Sequence, residues 1–293
     1  MLKLCLATMK IAVLGGTGLL GRAIAREWCG DELTLAGSRD IDVRDIGLVE
    51  RYIAQNRPDW VILAAALADV DACEQNPELA DAINHRGASN VAKACNEHGV
   101  RLMFISTDYV FGADSKTTPW EVEDPVSPAN VYAQSKAAAE DSVRRILSEA
   151  CIARVSWLFG APGRCFPVTA LKLAESGASV PAFTDQHGIP NFTREVARAL
   201  MLLARAGASG TVHVTNSGVT TWYDFSRELL PLAGHDAALV RAIKMAQVKR
   251  PAQRPHYSAL SDRSLRAYGI QVPHWRESLR LFLTDRVAAA EKP

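Results

Sequence analysis

The stretch 10-KIAVLGGTGLLGRAIARE-27 decides the fold class, because an apolar run, a glycine turn and a helical pattern follow one another in it. The run 10–15 is continuous and aliphatic, as expected for a strand buried on both faces of a sheet. Gly15, Gly18 and Gly21 recur at every third position, and glycine allows both the unusual dihedral angles of a tight turn and the close approach of a pyrophosphate. A helix that begins there presents unpaired N–H groups and the positive end of its dipole to an anion. The stretch therefore predicts a dinucleotide-binding turn, with a merely flexible glycine turn as the alternative.

The alternation of short apolar runs and helical patterns continues through the first half of the chain. It predicts right-handed crossovers and an α/β fold, a Rossmann-type doubly wound parallel sheet with helices on both faces. Pro77 suits the first turn of its predicted helix, where a missing N–H costs little. The further predicted strands are 32–36, 60–65, 101–106, 152–157 and 211–215, and the predicted helices lie near 18–29, 45–56, 77–98, 131–149 and 191–206.

The second half of the chain is less regular and holds most of the prolines outside the loop 119–128. We expect mixed short elements there, assembled into a smaller lobe from pieces that are not contiguous in sequence. The predicted division places residues 9–162 plus 189–216 in the dinucleotide-binding domain. Residues 163–188 plus 217–293 then form a discontinuous C-terminal substrate lobe.

Composition excludes several classes of protein. The formal net charge of the 293 residues is +1, and no basic run indicates nucleic acid or an anionic membrane as a partner. The longest apolar run, 60–68, is far shorter than the roughly 20 residues of a membrane span. The six cysteines, Cys5 among them, form no C-x-x-C pair and are expected to be reduced thiols of a cytoplasmic protein. The seven histidines do not have the spacing of zinc ligands. Residues 1–8 do not match a secretory signal.

The end of the second predicted strand bears on the choice of cofactor. An acidic residue there would bind a ribose 2′-hydroxyl, but the chain has Gly37, with Arg39 two residues on. A guanidinium can pair with a phosphate, so NADPH is favoured over NADH, unless Arg39 points into water. Asp42 is a candidate for the adenine edge, with turn formation as the alternative. The predicted cofactor contacts are Gly15, Thr17, Gly18, Leu19, Leu20, Gly21, Arg39, Asp42, Val43, Ala64, Ala65, Ala66, Tyr132 and Lys136.

The segment 130-NVYAQSKAAAED-141 places Tyr132 and Lys136 four residues apart, which on a helix is one face. The pair is either an ordinary surface contact or a proton donor with a cation that lowers the pKa of the phenol. Thr107, at the end of the fourth predicted strand in 105-ISTDYVFG-112, falls where ligands of such sheets bind. Together with the glycine turn, the combination favours a catalytic role for Thr107, Tyr132 and Lys136.

This combination resembles the extended short-chain dehydrogenase/reductase superfamily. Further stretches resemble the dTDP-4-dehydrorhamnose reductase family: 106-STDYVFG-112, 119-PWEVEDPVSPANVYAQSK-136, 184-TDQHGIP-190, 220-TTWYDF-225 and 254-RPHYSAL-260. The resemblance implies transfer of hydride from a nicotinamide cofactor to C4 of a 4-keto-6-deoxy sugar carried by dTDP, most simply dTDP-4-dehydrorhamnose. Tyr132 would then give a proton to the ketone oxygen, Thr107 would hold that oxygen, and Lys136 would tune Tyr132 and bind the nicotinamide ribose.

The resemblance also nominates residues that contact the substrate. Thr107 and Asp108 lie on the fourth strand, although Asp108 can equally cap the loop that follows. Trp157 is a candidate for the sugar site or for the core, and Arg254 for the diphosphate or for the Arg-Pro turn. Related 4,6-dehydratases have Thr-Asp-Glu at this place, and their Asp-Glu pair drives the elimination of water. This chain has Thr107, Asp108 and Tyr109 there, so dehydration is disfavoured.

Some residues depart from the family pattern and leave the substrate open. Leu67 and Ala68 stand where the family usually has a Tyr or His followed by Thr, and Cys165 and Asn191 also differ. A reductase of another 4-keto nucleotide sugar is therefore an alternative. A second alternative is a non-catalytic partner that resembles the regulatory subunit of methionine adenosyltransferase. No carboxylate cluster indicates a metal, and a homodimer is left open.

Overall fold

The computed structural model describes residues 8–113 and 116–290, with side chains through Arg286. Cys5 and most of the 1–8 segment therefore lie outside the described residues. The strands are β1 (Lys10–Leu14), β2 (Glu32–Ala36), β3 (Trp60–Leu63), β4 (Arg101–Thr107), β5 (Cys151–Val155), β6 (Leu158–Phe159), β7 (Val180–Phe183), β8 (His187–Gly188), β9 (Asn191–Phe192), β10 (Gly210–His213), β11 (Thr220–Thr221) and β12 (Val240–Ile243). The α-helices are α1 (Leu19–Glu27), α2 (Ile46–Asn56), α3 (Val70–Gln75), α4 (Pro77–Ala80), α5 (Gly87–His98), α6 (Val131–Ile146), α7 (Phe166–Glu175), α8 (Thr193–Arg205), α9 (Trp222–Leu232), α10 (Arg263–Arg266) and α11 (Trp275–Ala290), with a π-helix at Asp81–Arg86 and 3₁₀ turns at Asp108–Val110, Ala237–Leu239 and Met245–Gln247.

The main sheet has the strand order β10-β5-β4-β3-β1-β2, and every neighbouring pair is parallel. This confirms the predicted Rossmann-type doubly wound fold. The order reverses at β1, because the chain runs from β1 outward to β2 and then returns to β3 on the other side. Ligands in such sheets bind at this switch point, beyond the carboxyl ends of the strands.

Two of the predicted helices of the first half, α2 and α6, begin at side chains that cap them. The Asp45 carboxylate accepts the N–H of Leu48 at the start of α2, and the Asn130 amide oxygen accepts the N–H of Ala133 at the start of α6. Such side chains satisfy N–H groups that have no partner within the helix. The predicted helix 77–98 is continuous as α4, the π-helix and α5, whereas α3 was not predicted.

Two apolar clusters cover the faces of the sheet. On one face α1 and α8 bury Ile24 and Leu200 against strand residues such as Val13. On the other face α2 and α5 bury Ile53 and Val91 in the same way. Both faces being covered explains why the strands read as continuous apolar runs.

The remaining segments form a lobe around a third apolar cluster, in which β12 pairs with β7 in parallel. The expectation of mixed short elements was wrong for α7, α9 and α11. Two of these helices contain a proline. Pro167 lies in the first turn of α7, where a missing N–H does little harm, and Pro231 lies near the end of α9, where it removes one hydrogen bond to a carbonyl oxygen of the preceding turn.

The predicted division of the chain into two domains stays a prediction. Phe159 and Phe192 pack in the cluster of the lobe, although the prediction gave them to the dinucleotide-binding domain. Leu265 and Ile270 pack against the main sheet, although the prediction gave them to the lobe. Among the described residues, no helix has the length and apolar character needed to cross a bilayer.

Candidate active site

The glycine turn between β1 and α1 has the close contacts that its sequence predicts. Gly15 has a positive φ of 95°, and a Cβ placed on it would lie 2.5 Å from the backbone nitrogen of Ala65. A Cβ on Gly21 would lie 2.4 Å from the carbonyl oxygen of Gly15. The glycine turn thus approaches the first turns of α1 and the segment that follows β3 through backbone atoms alone, which leaves the start of α1 open to an anion.

A cavity of about 350 Å³ adjoins this turn. Among the predicted cofactor contacts, those in its lining are Gly15, Thr17, Gly18, Asp42, Val43, Ala64, Ala65 and Ala66. Leu19, Leu20, Gly21 and Arg39 are not part of the lining: Leu20 is buried in the core, and Arg39 is exposed. The guanidinium in the lining belongs to Arg44, which sequence reasoning overlooked. The glycine cradle and this cavity fit a dinucleotide.

Thr107 and Tyr132 line a neighbouring cavity of about 250 Å³ at the carboxyl end of β4. Burial raises the pKa of the Tyr132 phenol, and a hydrogen bond with Thr107 acts in the opposite direction. The spacing in the sequence left open that Lys136 lowers the pKa of Tyr132, but in the structure burial raises it overall. The phenol is therefore protonated at neutral pH and has a proton to give.

Lys136 is buried, and its ammonium does not face the cavity lining. Its Nζ donates to the carbonyl oxygen of Ile105 at 2.7 Å and lies 4.0 Å from the centroid of the Phe104 ring. Burial lowers the pKa of Lys136 to about 7, and the nearby Glu140 carboxylate works against this shift. The i to i+4 spacing correctly places Lys136 one helical turn from Tyr132, but the side chain points down towards β4.

Beneath Lys136 the Glu140 carboxylate forms a buried ion network. Arg154 Nε donates to Oε1 at 2.9 Å and Arg154 Nη2 to Oε2 at 2.7 Å, while Ser106 Oγ donates to Oε1 at 2.6 Å. Arg144 adds a further bond to Oε2 at 2.7 Å. Glu140 and Arg154 are 1% and 2% exposed, so neither charge has water to stabilise it and each depends on the other. The network holds β4, β5 and α6 together directly below the cavity.

Asp108 is buried and connects the end of β4 to the Arg-Pro-x-x-Ser-x-Leu segment. Its Oδ1 accepts the Thr107 hydroxyl at 3.1 Å, and its Oδ2 accepts the Ser258 hydroxyl at 2.5 Å. Burial raises the pKa of Asp108 to about 7, although both hydroxyls act against this shift. Asp108 lines the 250 Å³ cavity, so a structural role and a place beside the substrate are compatible.

A larger cavity of about 840 Å³ lies between the main sheet and the lobe. Ala68, Val70, Tyr109 and Trp222 line both this cavity and the 250 Å³ one, so the two adjoin. The cations in its lining are Arg241, Arg250 and Arg254.

Arg254 lines this cavity, but the Asp71 carboxylate already binds it. Two of its nitrogens donate to the two Asp71 carboxylate oxygens at 2.7 and 2.9 Å. Arg241 and Arg250 have no carboxylate partner among the described residues, and Arg250 lies 4.8 Å from the centroid of the Phe183 ring. These two arginines are the better placed to meet a diphosphate, and sequence reasoning did not single them out.

Trp157 stands at the edge of the 250 Å³ cavity with a positive φ of 39°. Its ring stacks on Trp222 with centroids 3.9 Å apart, and its indole N–H is buried without a hydrogen-bond partner among the described residues. Positive φ is strained for an aromatic residue, and strain of this kind is concentrated at functional sites. The core alternative for Trp157 therefore fits less well than a place in the site.

Tyr109 was considered in the sequence only as evidence against a dehydratase. In the structure it lines both the 840 Å³ and the 250 Å³ cavity, and its ring meets that of Tyr132 edge-on, with centroids 6.1 Å apart. Burial raises the pKa of Tyr109 to about 12. Its position in the sequence, directly after Thr107 and Asp108, could have indicated that Tyr109 lies in the same site. Within residues 8–113 and 116–290, no three His, Cys, Asp or Glu side chains are grouped as a metal would require.

Comparison with known proteins agrees with this geometry. A dTDP-4-dehydrorhamnose reductase of Mycolicibacterium smegmatis is 35% identical over 292 residues, which covers 98% of this chain and 88% of that protein. The spore coat polysaccharide biosynthesis protein SpsK of Bacillus subtilis is 33% identical, with 96% of this chain and 99% of the relative covered. A crystal structure of dTDP-4-dehydrorhamnose reductase from Bacillus anthracis in complex with NADP has a TM-score of 0.91 at 29% identity, and the match covers 95% of this chain and all of that one.

The family model described as RmlD substrate binding domain matches residues 9–287. The match includes the glycine turn, the cavities and the lobe, and relatives above 30% identity extend over the same length. The chain therefore belongs to the RmlD substrate binding domain family.

Proposed function

We propose that this protein is an NADPH-dependent reductase of the C4 ketone of a dTDP-4-keto-6-deoxy sugar, with dTDP-4-dehydrorhamnose as substrate and dTDP-L-rhamnose as product. The observation that carries the proposal is the placement of Thr107 and Tyr132 on one cavity wall at the end of β4. That cavity adjoins the one lined by three arginines. Relatives of similar length are dTDP-4-dehydrorhamnose reductases, which supports this choice of substrate.

The roles of the residues follow from their chemistry. When bound, a reduced nicotinamide supplies the hydride, and the ketone oxygen gains negative charge as its carbon is reduced. The Tyr132 phenol is placed to give that oxygen a proton, and the Thr107 hydroxyl can donate a hydrogen bond to it in exchange for its bond to Asp108. Lys136 steadies the end of β4 through its hydrogen bond to the Ile105 carbonyl oxygen, and to bind the nicotinamide ribose its ammonium would have to exchange that bond for one to the cofactor. Arg241 and Arg250 then face the diphosphate of the substrate.

A second substrate class follows from the wall between the cavities. Leu67 lines the 350 Å³ cavity and Ala68 lines both the 840 Å³ and the 250 Å³ cavity, so two apolar residues lie where cofactor and sugar would meet. Such a wall offers no hydrogen bond to a sugar hydroxyl. A reductase of another 4-keto nucleotide sugar with fewer hydroxyl groups at this place is the alternative.

The test is the fall in absorbance of the reduced nicotinamide when purified protein meets dTDP-4-dehydrorhamnose and, separately, a panel of other 4-keto nucleotide sugars. Tyr132→Phe is expected to lower kcat by about 10²–10⁴-fold and to leave NADPH affinity unchanged, because the phenol only supplies a proton. Tyr268→Phe is the matched control, since that ring is exposed and lines none of the cavities described above, so the activity of this variant should equal that of the wild type. Absence of turnover with every sugar and both cofactors would refute the proposal.

We further propose action in the cytoplasm, where nucleotide sugars and NADPH are available, and leave a homodimer as a prediction from the sequence. Light scattering on the purified chain tests the oligomeric state directly.

A further inference from the structure

The cavity beside the glycine turn has one carboxylate and one guanidinium in its described lining, and the two are bound to each other. Arg44 Nε lies 2.9 Å from Oδ1 and 3.0 Å from Oδ2 of Asp42, and Nη2 lies 2.6 Å from Oδ2. These bonds hold the pKa of Asp42 below its usual value, so the group is a carboxylate at neutral pH. With Arg44 in place the lining carries no net charge. Without Arg44 it would carry one negative charge.

The backbone fixes this pair in position. The Arg44 N–H donates to Asp42 Oδ1 at 3.0 Å, and the Asn90 amide on α5 donates to the carbonyl oxygens of Val43 and Arg44, both at 3.1 Å. Gly87 lets α5 approach the same segment, since a Cβ there would lie 2.6 Å from Val43 Cγ2. An ion pair between two freely moving surface side chains would not have these backbone contacts.

We propose that Arg44, by neutralising Asp42, allows this cavity to accept the 2′-phosphate of NADPH and so sets the preference for NADPH over NADH. This inference rests on the proposed function. A phosphate monoester carries about 1.5 to 2 negative charges at neutral pH, and an unpaired carboxylate in the same cleft would repel it. The 2′-hydroxyl of NADH carries no charge and can donate to a free carboxylate.

The inference moves the determinant of cofactor choice away from Arg39. The sequence nominated Arg39 because it follows the end of β2, yet Arg39 is exposed and outside the cavity lining. Arg44 is inside the lining and next to the carboxylate that would otherwise oppose the phosphate.

The experiment is a titration of NADPH and of NADH, followed by intrinsic tryptophan fluorescence or calorimetry at low ionic strength. It uses the wild-type chain, Arg44→Gln, the double variant Asp42→Asn/Arg44→Gln, and Arg266→Gln. Arg266 forms a comparable pair with Asp262, at 3.0 Å and outside the lining of this cavity, and controls for loss of one positive charge anywhere on the protein.

We expect Arg44→Gln to weaken NADPH binding roughly fivefold or more relative to NADH, with the difference shrinking as salt is added. The double variant should return the ratio of the two Kd values close to that of the wild type, because the repelling charge is gone. Arg266→Gln should leave the ratio unchanged. An unchanged ratio in Arg44→Gln, or a double variant that keeps the ratio of the single one, would overturn the inference. A wild-type chain that binds neither dinucleotide would instead refute the proposed function and, with it, the inference.

Discussion

Replacing Glu140 by Gln should destabilise the protein far more than its position outside the cavities suggests. The substitution removes the anion that holds the Arg154 guanidinium, which is 2% exposed and cannot reach water. Breaking one side of a buried ion pair typically costs about 3–5 kcal/mol, because the remaining charge is left uncompensated. Total stabilities of domains are about 5–15 kcal/mol, so the loss is a large part of the whole.

The assay is unfolding in urea, monitored by tryptophan fluorescence and by circular dichroism. Asp141→Asn is the matched control: the next residue on α6 also pairs with Arg144, at 3.0 Å, but its side chain is 69% exposed. An exposed pair contributes at most about 1 kcal/mol, so this variant should unfold nearly as the wild type does. Glu140→Gln/Arg154→Met removes both buried charges and should recover part of the loss.

The pH dependence of the difference gives an independent check. Arg154 and Ser106 hold the pKa of Glu140 below its usual value despite burial. The carboxylate therefore stabilises the protein above about pH 4.5, the pKa of an unfolded glutamate, and the advantage over Glu140→Gln is lost as pH falls through the folded pKa. The reasoning would be refuted by a loss no larger than that of Asp141→Asn, or by a difference that grows on acidification.

Two further predictions concern Asp108 and Gly21. Burial raises the pKa of Asp108 from 3.8 to about 7, so between these values the folded protein keeps a proton that the unfolded chain releases. The free energy of unfolding of the wild type should therefore fall by up to about 4 kcal/mol, relative to that of Asp108→Asn, as the pH rises from 4 to 7. Urea unfolding of both proteins across this range measures the difference, and an equal pH dependence of the two proteins would contradict the prediction. Gly21→Ala should lower Tm more than Gly18→Ala, because its Cβ would lie 2.4 Å from the Gly15 carbonyl oxygen, whereas a Cβ on Gly18 would lie 3.2 Å from the same atom. Thermal unfolding of both variants measures the difference, and equal Tm values would count against the steric argument.

Local patterns predicted the first half of the fold well because its residues carry the signal themselves. The apolar runs of β1, β3, β4 and β5 reflect burial on both faces, whereas β2 is the largely exposed edge strand, and α2 and α6 begin at the capping residues Asp45 and Asn130. The glycine turn was predictable for the same reason, since its backbone contacts depend on the three glycines alone.

Contacts between distant residues set the limits of that prediction. The Asp71 partner of Arg254 lies 183 residues earlier in the chain, and nothing in the Arg-Pro motif indicates it. The spacing of Tyr132 and Lys136 shows that they share a helix face, but not that the Lys136 ammonium binds Ile105 or that burial raises the pKa of the phenol. Helices α7 and α9 were not predicted individually, because the proline-rich second half was expected to hold mixed short elements.

The pairing of β7 with β12 has a consequence for synthesis on the ribosome. Strand β7 emerges before β10, the last strand of the main sheet, but its partner β12 emerges only afterwards. The nucleotide-binding sheet can therefore be complete while β7 still has an open edge, and open strand edges invite association between nascent chains. Translation pauses between residues 216 and 240 would prolong that exposure, whereas a chaperone that shields β7 during this interval would protect the yield of folded protein.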